Sequence, residues 1–452
     1  MSTATPVQTG SHVIQNLPWK WGVQGKIFII GGLGFMFDAW DVLLNAFIFP
    51  LLKDEWGLTP GQLGLLATMN IVGMAIGAIV LSSLADVYGR KKIFTYCLLA
   101  FSILSLLSAA APNYEVFLLL RFLTGIGLGG TIPVDYAIVG EFTPAKVRGR
   151  VLTAMDAWWP VGGTICGLVA AFLTAQGIQN WRYQLLFMVL PALLVVWVRR
   201  GIPESPMYLQ RRGREPEARA VIDDLIARTG TPPQQYTIDE PADVEKLSVT
   251  SAADKVRQLW AFSARRTFVS WMLFASVLFV YYGALIWLPS ILRSDPQYSE
   301  YLAFMVTVGV TAVGIPAVLA SAFLVDWFGR KPVIMGSAVL TAITLVLFAV
   351  YLDVPAAAKF WVLSFGIVIE FCIPAIYAYV SELYPTELRA SGFGWASSMS
   401  RVSAAIVPLA FGAWLFPQLG YVGTFIFATG FLVVSAVLMM VLTPETKGKE
   451  IH

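Results

Sequence analysis

Three polar side chains recur at i, i+3 and i+7 in an otherwise apolar run near the start of the chain: Asp38, Asp41 and Asn45. That spacing puts them on one face of a helix. Two carboxylates one turn apart repel each other, which favours a transferable proton on at least one of them. The pattern predicts proton coupling or capture of a substrate cation. The other reading is a structural pair held by arginine or backbone donors. Arg121 and Asp135 lie fourteen residues apart on one face of a later apolar run, about four turns from each other and too far for direct pairing. Asp135 either serves the interior or partners arginines at the end of its span. Asp156 precedes Trp158, Trp159 and Pro160, and Glu370 shares a face with Pro374 and Tyr377. Arg401 stands mid-run in SSMSRVSAAIVP (397–408), with apolar residues continuing beyond it. A guanidinium presents a planar fork matched to a carboxylate, so Arg401 reads as a clamp for an anion. Its alternative is a structural bridge to Glu370 or Asp38.

The elements that position these groups are membrane-spanning helices. The chain has 452 residues, of which 57% are hydrophobic and 13% charged, against roughly 25% charged in soluble domains. Apolar runs of about 20 residues, enough to cross a bilayer core, recur along nearly the whole chain. Twelve spans are expected, at about 27–50, 64–84, 93–112, 115–140, 151–175, 182–200, 267–292, 300–325, 332–352, 357–380, 392–416 and 421–443. Of the 31 Lys and Arg, only Lys53, Arg293 and Lys359 fall in the loops of one side, and Arg121, Arg182 and Arg401 fall within spans. The remainder place both termini in the cytoplasm. The net charge of +3 therefore reflects orientation, and no nucleic-acid surface is expected. Each ionisable group inside a span costs about 2.5–3.5 kcal/mol and needs a partner or a wet cavity. Residues 1–200 are expected as one six-helix bundle and 267–452 as a second with a cytoplasmic tail. Between them, 201–266 reads as a cytoplasmic linker, with an amphipathic helix at Glu217–Arg228 lying on the membrane face through Val221, Ile222, Leu225 and Ile226. The following TGTPPQQYTIDEPAD reads as a flexible linker, and no cleaved signal peptide is expected at the start. Cys97, Cys166 and Cys372 have no metal-ligand spacing. Without HExxH, GxSxG or a phosphate-cradling glycine loop, neither an enzyme nor a metal or cofactor is expected.

The chain repeats itself. SLADVYGRKK (83–92) returns as AFLVDWFGRKP (322–332), EFTPAKVRGR (141–150) as ELYPTELRAS (382–391), and PESPMYL from Pro203 as PETKGKE from Pro444. The offsets are 240, 241 and 241 positions, so the two halves are duplicates arranged as parallel repeats. TIPVDYAIVGEFTP (131–144) aligns without gaps on CIPAIYAYVSELYP (372–385), and Asp135 falls on Ile376. A break in an otherwise repeated helix points to a task held by one half.

On these motifs the chain resembles the major facilitator superfamily over its full length. The matching residues are Asp86, Gly89, Arg90 and Lys91, with Asp326, Gly329, Arg330 and Lys331 in the second half, and RFLTGIGLGG from Arg121 as the fourth-helix motif. PESPMYL resembles the branch holding sugar porters, organic ion transporters and synaptic vesicle glycoproteins. The resemblance implies an all-α fold of two pseudo-symmetric six-helix bundles that rock about a central cavity. It also implies a conformational gate built from Asp86, Arg90, Glu141, Arg148, Asp326, Arg330, Glu382 and Arg389, which locks the cytoplasmic ends together when the cavity opens outward.

DAWD (38–41) resembles the paired-aspartate motif of aromatic acid–proton symporters, with Ala39 where that motif has glycine. The stretch around Arg401 resembles the eleventh helix of organic anion transporters, where arginine favours anions and cation-handling relatives have an acid. Trp56, Trp181 and Trp414 near span ends read as interface belt. Trp40, Tyr136, Trp158, Trp159, Tyr281, Tyr282, Trp287, Tyr377 and Trp395 fall mid-span near the charges. An aromatic wall with one arginine suits a small flat acid, and the seventh span lacks the Gln and Asn expected for sugar. Together these features resemble bacterial niacin transporters. The expectation is a monomeric secondary transporter in a bacterial inner membrane, surrounded by lipid bilayer, which imports nicotinate or another small organic acid together with protons. Arg401, Tyr282, Trp158, Trp159, Tyr377, Ser398 and Asp38 are expected at the substrate, and Asp38, Asp41, Arg121, Asp135 and Glu370 in proton coupling. The alternatives are a hydroxybenzoate–proton symporter, an organic cation or sugar porter, and a non-transporting receptor with the same fold.

Overall fold

The computed structural model describes residues 8–238 and 249–446. Among these residues eleven helices are long and apolar enough to cross a membrane. The last, Ser391–Leu442, has 52 residues and is broken at Gly420, whose φ of 64° and ψ of −176° are not helical. It therefore supplies two crossings, and the described residues make twelve. The first bundle holds α1 (Trp21–Trp56), α2 (Pro60–Tyr88), α3 (Arg90–Ala109), α4 (Tyr114–Phe142), α5 (Ala145–Ala175) and α6 (Trp181–Gly201). The second holds α7 (Asp254–Leu285), α8 (Glu300–Phe328), α9 (Arg330–Val350), α10 (Pro355–Glu382), α11 (Thr386–Ala410) and α12 (Phe416–Leu442).

Helix ends on one face of the molecule are capped locally. Thr59 and Gln62 form a capping box at α2, and Asn113, Asn180 and Ser299 cap α4, α6 and α8 through their side chains. On the opposite face the chain turns sharply at Gly89 and Gly329, with φ of 103° and 98°, values that side chains rarely adopt. Within the first bundle α2 and α4 meet through two interlocked glycine pairs. A Cβ at Gly73 or Gly77 would stand 2.2 or 2.0 Å from a carbonyl oxygen of α4, and one at Gly125 or Gly129 would stand 2.0 or 1.9 Å from a carbonyl oxygen of α2. Small residues one turn apart let helix backbones touch where lipid gives no hydrophobic drive to associate.

The bundles join by α2 against α11 and by α5 against α8, near the locally capped face. There Gly64 lies against the Pro408 carbonyl, Thr164 donates to Thr311 at 3.0 Å and Phe47 meets Phe304 edge-on. Towards the other face the same helices are uncovered: Val87 and Tyr88 of α2, and Phe323, Trp327 and Phe328 of α8, are exposed. These contacts between the bundles lie towards the capped face.

Two expectations change here. The amphipathic helix runs over Glu215–Thr229, and its apolar side (Ala218, Ile222, Leu225, Ile226) is buried. It packs on a short helix, Gly10–Asn16, with Ile222 directly beside Gly10. Its apolar stripe is thus covered by protein rather than lipid. Gln8–Thr9 pairs in parallel with Tyr236–Thr237, and Tyr236 donates to Asp223 at 2.8 Å, so part of the expected flexible linker is folded. Residues 239–248 of that linker and 447–452 of the tail lie outside the described residues. The second change is Trp181, read as a belt residue. It is fully buried among Trp56 and Phe117 and donates to Glu55 at 2.7 Å.

Candidate functional site

The polar face of α1 divides between two neighbours. Asp41 points towards α2, α3 and α4, where it accepts from Arg121 Nη1 at 3.0 Å, Ser105 at 2.8 Å and Asn70 at 3.3 Å. Arg121 donates its other branch to Ser105 at 2.8 Å, to Thr124 at 3.3 Å and to Ser108 at 3.4 Å, and lies over the Phe117 ring. Both members of this ion pair are fully buried. The glycine contact of α2 with α4 brings this cluster together: Asn70, beside Gly125, also donates to the Arg121 carbonyl at 3.2 Å.

Asp38, one turn earlier, turns towards the middle of α4, where the helix is interrupted at Gly130. Thr131, the first residue after the break, donates to Asp38 Oδ2. Asp135 follows one turn later against Gly31 and Gly34 of α1 and within electrostatic reach of Asp38. Both carboxylates are fully buried, and one oxygen of each, Oδ1 of Asp38 and Oδ2 of Asp135, has no hydrogen-bond partner among the described residues. Asp38 thus meets the charge of Asp135 as well as that of Asp41, and Asp41 is paired with Arg121.

Across the bundle interface Arg401 of α11 lies within electrostatic reach of Asp38, Tyr282 and Tyr377. Among the described residues it forms neither ion pair nor hydrogen bond, so the expected alternative of a bridge to Glu370 or Asp38 is not formed. The hydroxyls of Tyr282 and Tyr377 are likewise without partners among the described residues. Trp159 of α5 reaches Tyr282 edge-on at 6.3 Å and packs on Phe35, which meets Tyr136. Tyr377 stacks on Phe274 at 4.9 Å. The result is one guanidinium, which only donates, and two phenols, which donate and accept, with the Trp159 ring of the other bundle beside Tyr282. Glu370 is almost fully buried, against Gly314 and beside Tyr281.

At the glycine turns the three repeated motifs converge, once in each bundle. Arg90 pairs with Glu141 at 2.8 Å, and Glu141 accepts from Ser205 at 2.6 Å. Glu204 closes over Gly89 and accepts from the Lys91 amide at 3.2 Å. In the second half Arg330 pairs with Glu382 at 2.7 Å, Glu382 accepts from Thr446 at 2.6 Å, and Glu445 accepts from the Lys331 amide at 2.9 Å. Asp326 reaches Arg330 at 3.6 Å, and Arg148 donates to the Thr143 carbonyl at 3.1 Å. Among the expected gate residues, Arg90, Glu141, Arg148, Asp326, Arg330 and Glu382 thus make these contacts inside their own bundles. The side chain of Asp86 lies outside the described residues.

The profile of the sugar (and other) transporter family matches residues 40–452. The chain belongs to that family. It is accordingly a multi-pass membrane protein and a secondary transporter of the major facilitator superfamily, not an enzyme. This transporter is 32% identical over 444 residues to the niacin transporter NiaP of Acinetobacter baylyi, a match covering 97% of this chain and 98% of that one. It is 27% identical over 416 residues to a benzoate transport protein of the same organism, covering 88% and 84%. Its fold matches the xylose transporter XylE from E. coli in a partially occluded inward open conformation, with a TM-score of 0.74 at 19% identity over 94% of this chain and 99% of that one.

Two residues expected at the transporter's substrate stand elsewhere. Ser398 is exposed and donates to the Gly394 carbonyl. It falls on the i, i+4 stripe of the exposed Val402 and Ile406, the side of α11 turned away from the protein. Trp158 lies against Gly32 and Phe28 inside its own bundle, leaving Trp159 to face the interface. Sequence reasoning offered an arginine partner for the α1 acids without naming Arg121, and it missed the Tyr136–Asp156 hydrogen bond and the capping role of Glu204 and Glu445. The last had a signal, since PES and PET repeat in register, but their partners were not readable from spacing.

Proposed function

We propose that this transporter imports a small aromatic monocarboxylate, nicotinate first, in symport with protons, acting as a monomer in a bacterial inner membrane with both termini cytoplasmic. The observation that carries the substrate class is the convergence of Arg401, Tyr282 and Tyr377, whose donors have no acceptor among the described residues, with the Trp159 ring beside Tyr282. A carboxylate fills such a site with charge-assisted hydrogen bonds, and a flat ring stacks beside it. The Arg401 charge, without an ion-pair partner among the described residues, favours an anion over a cation or a neutral sugar. The niacin and benzoate carriers among the relatives share the substrate chemistry of a carboxylate on a six-membered aromatic ring.

Proton coupling is assigned to Asp38 and Asp135. A proton on one relieves the charge repulsion that the other would meet, and each has an oxygen without a partner among the described residues. Asp38 also lies within reach of Arg401, so substrate charge at Arg401 and proton occupancy at Asp38 influence each other. Asp41 and Arg121 hold the first bundle in shape around this pair.

The test is uptake of labelled nicotinate by proteoliposomes. Saturable uptake is expected, and Arg401→Ala should weaken it by about 10- to 100-fold, the worth of charge-assisted hydrogen bonds to one carboxylate. Uptake unchanged by that substitution would remove the carboxylate clamp.

A further inference from the structure

Asp156 has no part in the carboxylate site or in the proton pair, yet it is placed to meet a substrate. It ends the first segment of α5, Ala145–Asp156, and the helix restarts at Trp158. Interrupted helices near mid-membrane put polar groups where transporters bind their cargo. Its carboxylate is half-buried. Tyr136 of α4 donates to Oδ1, and Oδ2 has no partner among the described residues. Tyr377 lies within electrostatic reach of both Asp156 and Arg401. The site therefore has an anion-binding end on the second bundle and an acid end on the first, with Trp159 three residues after Asp156 and Tyr282 across from that ring.

We propose that Asp156, held in place by Tyr136, determines specificity by hydrogen-bonding a polar group on the substrate ring while Arg401 holds the carboxylate. This rests on the carboxylate reading above. The ligand class is an aromatic acid with a ring heteroatom or hydroxyl. With a pyridine acid, one proton lies between Asp156 Oδ2 and the ring nitrogen: the carboxylic acid donates to the nitrogen, or the carboxylate accepts from the pyridinium N–H. With a phenolic acid, the carboxylate accepts from the hydroxyl. Benzoate offers neither donor nor acceptor on its ring, so Asp156 would lose water without replacement. Glu370 does not fit this role, because it is turned into α8 against Gly314 and is almost fully buried.

The experiment measures binding of nicotinate, 3-hydroxybenzoate and benzoate to the purified full-length transporter, with competition for uptake in proteoliposomes. Wild type should prefer the first two over benzoate by about tenfold or more, the worth of one hydrogen bond to a charged group. In Asp156→Ala that preference should vanish: nicotinate and 3-hydroxybenzoate fall to the level of benzoate, whose binding changes little. Asp156→Asn should keep part of the preference for nicotinate, since an amide still donates to a ring nitrogen. Tyr136→Phe should reduce the preference without abolishing it, which marks a positioning residue. If Asp156→Ala does not fold, the last two variants carry the test. Equal weakening of all three ligands, or a preference that survives every variant, overturns the proposal. A wild type that binds all three equally overturns it alone, whereas a wild type that binds none removes the carboxylate reading and this inference together.

Discussion

Two aspartates three residues apart on α1 are given opposite tasks by their neighbours. Asp41 receives four hydrogen bonds from three side chains and neutralises Arg121, with both fully buried. Removing one member of such a pair strands the other charge and costs about 3–5 kcal/mol. Asp38 has one donor, Thr131, and one oxygen without a partner, so its charge is poorly supported in place. Asp41→Asn should therefore lower the melting temperature sharply and reduce folded yield. Asp38→Asn should melt within about 1 kcal/mol of wild type, since an amide keeps the acceptor for Thr131, yet uptake should no longer respond to an imposed proton gradient. Melting in detergent and uptake with and without the gradient check both; an Asp38→Asn carrier that still follows the gradient would end the assignment. Periodicity placed Asp38, Asp41 and Asn45 on one helical face. It could not say that this face straddles two neighbouring contacts, because a face of a helix has no partner until the bundle is packed. Asp135 was set apart in the sequence as the position that breaks the repeat, and the structure places it within electrostatic reach of Asp38.

At the scale of elements, the twelve spans were legible because the bilayer demands long apolar runs, and their ends because Gly, Asn, Thr and Ser stand where the chain turns. The contact that assembles the first bundle was not legible as such. GIGLG in α4 reads as a family motif. Its physical role requires Gly73 and Gly77 of α2 to lie opposite, each too close to a carbonyl for any side chain. An alanine at Gly77 would put its Cβ 2.0 Å from the Ile126 oxygen and push α2 and α4 apart. Overpacking of this kind costs about 1–3 kcal/mol, and here it also moves Asn70 away from Arg121. Gly77→Ala should lower both the melting temperature and the uptake rate. Gly336→Ala on α9, where a Cβ meets nothing within 4 Å, should leave both unchanged. The comparison separates loss of helix–helix approach from any general cost of altering a glycine within a span, and equal behaviour of the two variants would reject the packing role.

For the whole molecule, the duplicated clusters at the glycine turns make each bundle rigid on its own, which is what a rocking carrier needs: bundles that keep their shape while the interface between them changes. What holds the interface in the present arrangement lies on the opposite face. Arg293, which ends the short helix Leu288–Leu292 that follows α7, pairs with Asp54 of α1 at 3.0 Å and with Glu300 of α8 at 3.6 Å, and Thr174 of α5 donates to Glu300 at 3.1 Å. These residues are not equivalent. The Asp54 side chain is 60% exposed and that of Glu300 only 8%. An exposed pair is worth about 0–1 kcal/mol, whereas a buried carboxylate joined to both bundles contributes more, and each 1.4 kcal/mol changes a two-state population about tenfold. Asp54→Asn should therefore shift the equilibrium between the two access states by less than about fivefold, and Glu300→Ala by more. Spin labels on the loops α1–α2 and α7–α8 report the separation of the bundles on this face, and the long-distance population should grow in that order. Distances that stay fixed in both variants would mean that the apolar contacts of α5 with α8 and α2 with α11 hold this face closed, and that the ion pairs only follow.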